Sequence, residues 1–202
     1  MIRKEKNKMS NSNATSPMVE IDCSEFSAND DILAIKERAF LGHVNLRGSS
    51  ENADFMAAVK RVLGVGLPIQ ANTFLAAAGN TILWLGPNEW LVVTAADMAA
   101  ELIEKLETAL ADTFSAVNDI SGANTVLEIS GRKAQALLLK GCPLDLHHSV
   151  FSTGQCAQTV MAKTSMTLWQ VDDEPVYKLV VRRSFADYLG LWLADATREY
   201  RI

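Results

Sequence analysis

The 202-residue chain is poor in the residues from which proteins assemble chemistry. It has three cysteines, Cys23, Cys142 and Cys156, with no Cys-x-x-Cys pair, and that odd number fits a reducing compartment rather than a disulfide framework. Histidines are equally few: His43, His147 and His148. There is no glycine-rich phosphate loop: Gly64-Val-Gly66-Leu-Pro68 is too short and follows a helix pattern instead of a strand. No apolar run approaches the ~18 residues of a membrane span. The first residues, Met1 to Ser16, begin basic and turn polar, without the apolar centre of a secretory signal. Positive charge is also short, with a net charge of -5, so a nucleic-acid backbone has no electrostatic footprint here. These absences point to a cytoplasmic protein that binds neither nucleic acid nor membrane.

Apolar residues are plentiful. Hydrophobic side chains make up 49% of the chain, enough for a substantial core and for apolar surface that a partner would cover. Composition divides the chain at about residue 28. Residues 1–28 read as a disordered polar tail and an acidic connector (Glu20, Asp22, Glu25, with Asp30 and Asp31 just beyond), 29–112 as one α+β half, and 113–202 as a second.

In the first half, the pattern predicts a strand from Ala39 to Arg47, then a helix capped by Ser49 or Ser50 with Phe55, Met56, Val59, Val62 and Leu63 at helical spacing. Gly64 and Pro68 stop it. Strands at Ile69 to Ala78 and Thr81 to Leu85 flank a Gly79-Asn80 turn, and Glu89 to Val93 forms a third. Thr94 to Asp97 reads as a capping box for a helix that buries Ala99, Leu102, Ile103, Leu106 and Leu110.

The pattern then restarts. Phe114 to Ile120 and Thr125 to Ser130 suggest a hairpin, followed by Gly131, a short apolar helix and the stop Gly141-Cys-Pro143. Strands follow at Ala157 to Lys163, Met166 to Val171 and Val176 to Val181, with a polar turn after Val171. Ser184 to Asp187 caps a last helix whose apolar face is Phe185, Tyr188, Leu189, Trp192, Leu193 and Ala196. The halves align as a degenerate repeat, each roughly β-α-β-β-α, which predicts an α+β fold of mostly antiparallel sheet with helices packed on it. In that alignment Leu91 matches Leu179, and Arg182-Arg183 stands as an insertion between strand and helix.

The rarest side chains gather between Gly131 and Cys156. Cys142, His147, His148 and Cys156 are four possible metal ligands, but proline follows Cys142 and adjacent histidines seldom reach one ion. Cys142 follows a helix C-terminus, the wrong end of the dipole for an activated thiolate. Asp119 stands alone near a strand end, as a turn former or a weak base. Arg182 and Arg183 are either solvated charge or a contact to another chain, and Trp90 is the tryptophan best placed to anchor an interface. By residues alone the chain reads as a subunit or binding module, with no catalytic, cofactor or metal residue to name.

Four segments resemble a known family: Leu85-Gly-Pro-Asn-Glu-Trp-Leu91, Gly141-Cys-Pro-Leu-Asp-Leu-His147, Gln155-Cys-Ala-Gln158 and Arg182-Arg-Ser-Phe-Ala-Asp-Tyr-Leu189. Over roughly residues 35–200 their order resembles the gamma subunit of heterotetrameric sarcosine oxidase. The resemblance implies a cytoplasmic flavoenzyme that demethylates sarcosine oxidatively to glycine, forming hydrogen peroxide and methylene-tetrahydrofolate or formaldehyde. It implies alpha, beta and delta partner subunits, with FAD, FMN, NAD, tetrahydrofolate and zinc held by those other chains. It also implies a fold related to the glycine-cleavage T-protein and a non-catalytic role for this chain. The alternative is a stand-alone folate-binding or aminomethyl-transferring module.

Overall fold

The computed structural model describes residues 15–21, 23–27, 30–174 and 176–200. Most of the expected tail (residues 1–14) and Asp22 of the connector therefore lie outside the described residues. The rest of that region is no mere linker. Met18, Cys23 and Phe26 are buried in one of the protein's cores, and the Ser27 hydroxyl accepts from the Ile35 amide at 3.0 Å.

The first half contains β1 (Ala34–Arg38), β2 (Gly42–Gly48), α1 (Ala53–Leu63), β3 (Phe74–Ala77), β4 (Asn80–Gly86), β5 (Glu89–Thr94) and α2 (Ala99–Ala109). The second repeats that order: β6 (Ser115–Asp119), β7 (Asn124–Ser130), α3 (Ala134–Leu139), β8 (Cys156–Met161), β9 (Thr164–Asp172), β10 (Val176–Arg182) and α4 (Ala186–Ala196). The repeat unit is therefore β-β-α-β-β-β-α, and the 112/113 division falls in the link between α2 and β6. All strands pair antiparallel in two five-stranded sheets, β3-β4-β5-β2-β6 and β1-β7-β10-β9-β8, which gives the expected α+β class.

The expected hairpin from Phe114 to Ser130 does not form. β6 pairs with β2 and β7 pairs with β1 and β10, so the 3-10 turn Ser121–Ala123 carries the chain from one sheet to the other. Each half thus lends its first strand to the other half's sheet. β1 escapes sequence reading because AIKER offers one large apolar residue, Ile35, too little for a period-2 pattern.

Strand alternation sorts the side chains into layers. On β5, Trp90 and Val92 face α1 and α2, while Leu91 and Val93 face the opposite sheet. On the second sheet, Leu127, Ile129 and Leu179 face α3 and α4, and Val126, Trp169 and Val180 face inward. The result is helices, sheet, sheet, helices, with an apolar layer between the sheets.

The helix starts differ from expectation in detail. Asn52, not Ser49 or Ser50, caps α1, its carboxamide oxygen accepting from the Asp54 and Phe55 amides at 3.0 and 3.1 Å. Gly64 ends α1 with a left-handed φ of 74°, as its position predicts. The Thr94–Asp97 capping box is not made: Asp97 takes φ 63° and α2 begins only at Ala99. Ser184 lies in a 3-10 turn, Arg183–Phe185, and does not cap α4. The β3–β4 turn centres on Ala78 and Gly79, both at positive φ, one residue before the expected Gly79-Asn80.

At Gly131 the segment after β7 runs close against the backbone just before β1. The Gly131 φ is +97°, and a Cβ placed there would lie 2.7 Å from the carbonyl oxygen of Ile32, which itself accepts from the Lys133 amide at 2.9 Å. Neither backbone can yield without losing that bond. Gly131→Ala is expected to destabilise the chain by about 2 kcal/mol, whereas Gly122→Ala, which meets open space, serves as the neutral control. Thermal melting of both full-length variants checks this, and equal midpoints would remove the argument.

Candidate functional site

The cysteine- and histidine-bearing stretch turns out to be a corner. α3 stops at Leu139, and the amides of Gly141 and Cys142 bond back to Leu138 O at 3.0 and 2.8 Å. The Trp192 ring packs over Gly141, where an added Cβ would sit 2.8 Å from its edge. Cys142 is buried, its sulfur 3.9 Å from the Thr159 hydroxyl. Cys156 lies elsewhere, between the sheets, its thiol donating to Thr73 O at 3.2 Å, and burial pushes it up to about 11. That thiol is protonated at neutral pH and unsuited to nucleophilic attack. His147 is exposed, with Nδ1 2.7 Å from the Ser149 hydroxyl and its ring stacked on His148 at 4.1 Å. The four potential ligands do not converge, and among the described residues no group of three or more His, Cys, Asp or Glu could hold a metal ion.

Asp119 accepts from both the amide and the hydroxyl of Ser121 at 2.9 and 2.6 Å, a turn-forming carboxylate. Next to it on the neighbouring strand, His43 is 1% exposed with neither ring nitrogen hydrogen-bonded. Burial pushes its imidazole down to about 4, against the opposing pull of the Leu41 backbone and Asp119.

Trp90 is not a surface anchor. It is fully buried, its indole N–H donates to Pro68 O at 2.8 Å, and its ring lies 5.9 Å from that of Phe55. Its flanking glycine-proline turn suggested exposure, but strand parity sends the side chain under α1. The arginine insertion also disappears. Within its sheet Val93 pairs with His43, as Val180 pairs with Val126 in the other, so Arg182-Arg183 stand where the first half has Ala95-Ala96. Aligning Leu91 with Leu179 slips the register by one, placing an inward residue on an outward one. The two arginines then part company. Arg183 donates to Thr15 O at 2.9 Å and holds the N-terminal segment, whereas Arg182 forms no ion pair among the described residues and lines a cleft between the sheets.

That cleft is the candidate site. The inner faces pack tightly around Phe74, Leu83, Trp169 and Cys156, then diverge along β8 and β9 to leave a volume of about 510 Å³. Leu85, Leu91, Ile120 and Val180 supply apolar lining, and Asn45, Gln158, Ser165, Thr167 and Arg182 supply polar groups. Glu89 also lines it, but its carboxylate is bound by Arg47 and the Asn45 amide, each at 2.8 Å. Gln158 ties the sheets together by donating to Leu85 O at 2.7 Å. Arg182 was singled out by sequence as a contact residue, and Leu85, Glu89, Leu91 and Gln158 only as members of the family-like segments. The rest, Asn45, Ile120, Ser165, Thr167 and Val180, are scattered over segments far apart in the chain, and the local signal for two of them was the polar alternation Ser165, Thr167.

Comparison with known proteins settles the kinship. Residues 47–199 match the family described as the sarcosine oxidase, gamma subunit family. The chain belongs to that family. It is 35% identical over 167 residues to the sarcosine oxidase subunit gamma of Corynebacterium sp. (strain P-1), covering 82% of this chain and 80% of that one. A subunit gamma from Arthrobacter sp. is likewise 35% identical, over 83% of this chain and 81% of the relative. Among solved structures, heterotetrameric sarcosine oxidase from Corynebacterium sp. U-96, in complex with pyrrole 2-carboxylate, has a chain that superposes with a TM-score of 0.86 at 27% identity, covering 94% of this chain and 97% of that one. The glycine cleavage system aminomethyltransferase T from Bartonella henselae shares the fold, with a TM-score of 0.61 at 14% identity over 85% of this chain and 48% of its own.

In this gamma-family chain the motif segments meet in space. Leu85 and Glu89 from the first, Gln158 from the third and Arg182 from the fourth all line the inter-sheet cleft. The second, Gly141 to His147, forms the corner beneath α4, with Trp192 against Gly141.

Proposed function

We propose that this chain is a non-catalytic assembly subunit of a heterotetrameric sarcosine oxidase. In this reading it works with alpha, beta and delta subunits in the cytoplasm. Those chains hold FAD, FMN, NAD, tetrahydrofolate and zinc and oxidise sarcosine to glycine, with hydrogen peroxide and methylene-tetrahydrofolate or formaldehyde as further products. The observation that carries the reading is membership of the gamma subunit family over residues 47–199. The surface supports it. α4 carries apolar surface beyond its buried face: Leu189 and Leu193 face the core, yet Leu191 is 68% exposed between Asp187 and Asp195, and Tyr188 and the preceding Phe185 are also exposed. Apolar groups gathered at one place on the surface are the usual mark of a covered interface. The groups that would serve as nucleophile or base support it too, since Cys156 is held protonated and His43 neutral in the interior. A stand-alone folate-dependent transferase would need a carboxylate turned toward its ligand, and Asp119 is engaged by Ser121.

Co-expression with the three other subunits is expected to yield one complex containing this chain. A soluble, monodisperse chain that ignores those partners, or one that binds tetrahydrofolate calorimetrically by itself, would overturn the proposal.

A further inference from the structure

We infer that the inter-sheet cleft is a docking socket for an acidic side chain of a partner subunit, with Arg182 as the residue that grips it. This rests on the assembly reading above and assigns that role to one place on the molecule. The charge balance of the cleft selects the occupant. Glu89 is neutralised by Arg47 at 2.8 Å, so its negative charge is not available to Arg182. Arg182 has no ion pair among the described residues and is left as uncompensated positive charge, in a protein whose net charge is -5.

The neighbouring groups complete a carboxylate site. Asn124 stands directly across from Arg182 on β7, and on the other side Val181 pairs with Met166 of β9, so Ser165 lies one residue on, beside Arg182 on the cleft face. A guanidinium fork and a hydroxyl can together satisfy both carboxylate oxygens. Below them Leu91 and Val180 form an apolar floor suited to the methylenes of a glutamate or to an adjoining apolar residue. The volume of about 510 Å³ admits a side chain with its neighbours, not a folded element. The corresponding place in the first half carries Ala95, which offers no charge, so the repeat alone does not produce the socket.

The test uses the co-expressed complex and measures association of this chain at several salt concentrations. Arg182→Ala is expected to weaken association by about 10–100-fold, the loss of a charge-assisted hydrogen-bonded contact, and to flatten its salt dependence. Arg182→Lys is expected to recover part of the affinity. Ser165→Trp, which fills the cleft without altering charge, is expected to weaken association while leaving the melting curve of the chain intact. Arg183→Ala, which frees Thr15, is expected to leave association unchanged. Wild-type affinity and salt slope in Arg182→Ala overturn the socket and leave the assembly reading standing. Failure of the wild-type chain to associate takes down both. If Arg182→Ala assembles normally but releases a bound small carboxylate, detected by mass spectrometry of the purified wild-type chain, the cleft is a metabolite site and the docking role is wrong.

Discussion

Replacing Trp90 by alanine is expected to cost about 3–5 kcal/mol of stability, among the largest effects available in this chain. The indole is fully buried, tilted 33° against Phe55, and holds the Pro68 carbonyl at 2.8 Å. Truncation therefore removes the transfer free energy of a large ring and leaves a cavity under α1. It also deprives a buried carbonyl of its donor. For a protein of this length the melting midpoint should fall by roughly 10 °C or more. Trp90→Phe keeps most of the apolar volume and loses only the N–H, so its cost should be nearer 1–2 kcal/mol. A partner-facing tryptophan would behave in the reverse way, with melting of the chain unaltered and association weakened. That outcome would refute the buried assignment.

Acid should weaken the fold through His43 by about 3 kcal/mol. In the unfolded chain the imidazole titrates near its ordinary value, 6.5, and in the folded protein burial pushes it down to about 4. Below 6.5 the unfolded state takes up a proton that the folded state refuses, so falling pH favours unfolding. The stability is complete above about pH 6.5, declines by about 1.4 kcal/mol per pH unit through the window, and levels off near pH 4. The cause lies in the packing: the ring is 1% exposed, and the cost of burying its charge outweighs the help that the Leu41 backbone and Asp119 give the protonated form. His43→Leu replaces the ring by an apolar side chain, and urea unfolding between pH 7 and 4.5 should then lose this share of its pH dependence. The carboxylates contribute a separate acid loss. Glu128, which burial pushes up but Arg38 and Lys178 hold below its usual range, gives up its stabilising contribution only as pH falls through the carboxylate range. An unchanged slope in His43→Leu would show that the ring is solvated.

Much of the fold was legible because helices and strands announce themselves locally. α1 reads from Phe55, Val59 and Leu63 with a glycine stop, and α2 from Leu102, Leu106 and Leu110, and each buries the face its spacing predicts. α4 was half legible. Leu189 and Leu193 are core, but Phe185 and Tyr188 point to solvent, because apolar residues spread over more than one face of a helix do not declare which face is covered. The capping residues of α2 and α4 misled for a related reason. A capping box needs helical backbone at the residue three places after the cap, which Asp97 at φ 63° does not have, and Ser184 is itself inside a 3-10 turn.

The sequence by itself determined the α+β class, the internal repeat, the glycine-bounded helices and, through four short segments, the family. These rest on interactions between residues a few positions apart, or on segment identity, and both are written along the chain. The tertiary structure alone decided that β1 and β6 exchange sheets, that Trp90 lies inside, that Cys142 and Cys156 sit in different cores, and that Arg182 lines the cleft while Arg183 bonds the Thr15 carbonyl. The physical reason is parity and pairing. Each strand residue faces one side or the other according to register, and register is set by partners as distant as Val126 from Val180 or Cys156 from Trp169. The candidate cleft exists where two such sheets part, so its residues share a face without sharing a neighbourhood in sequence.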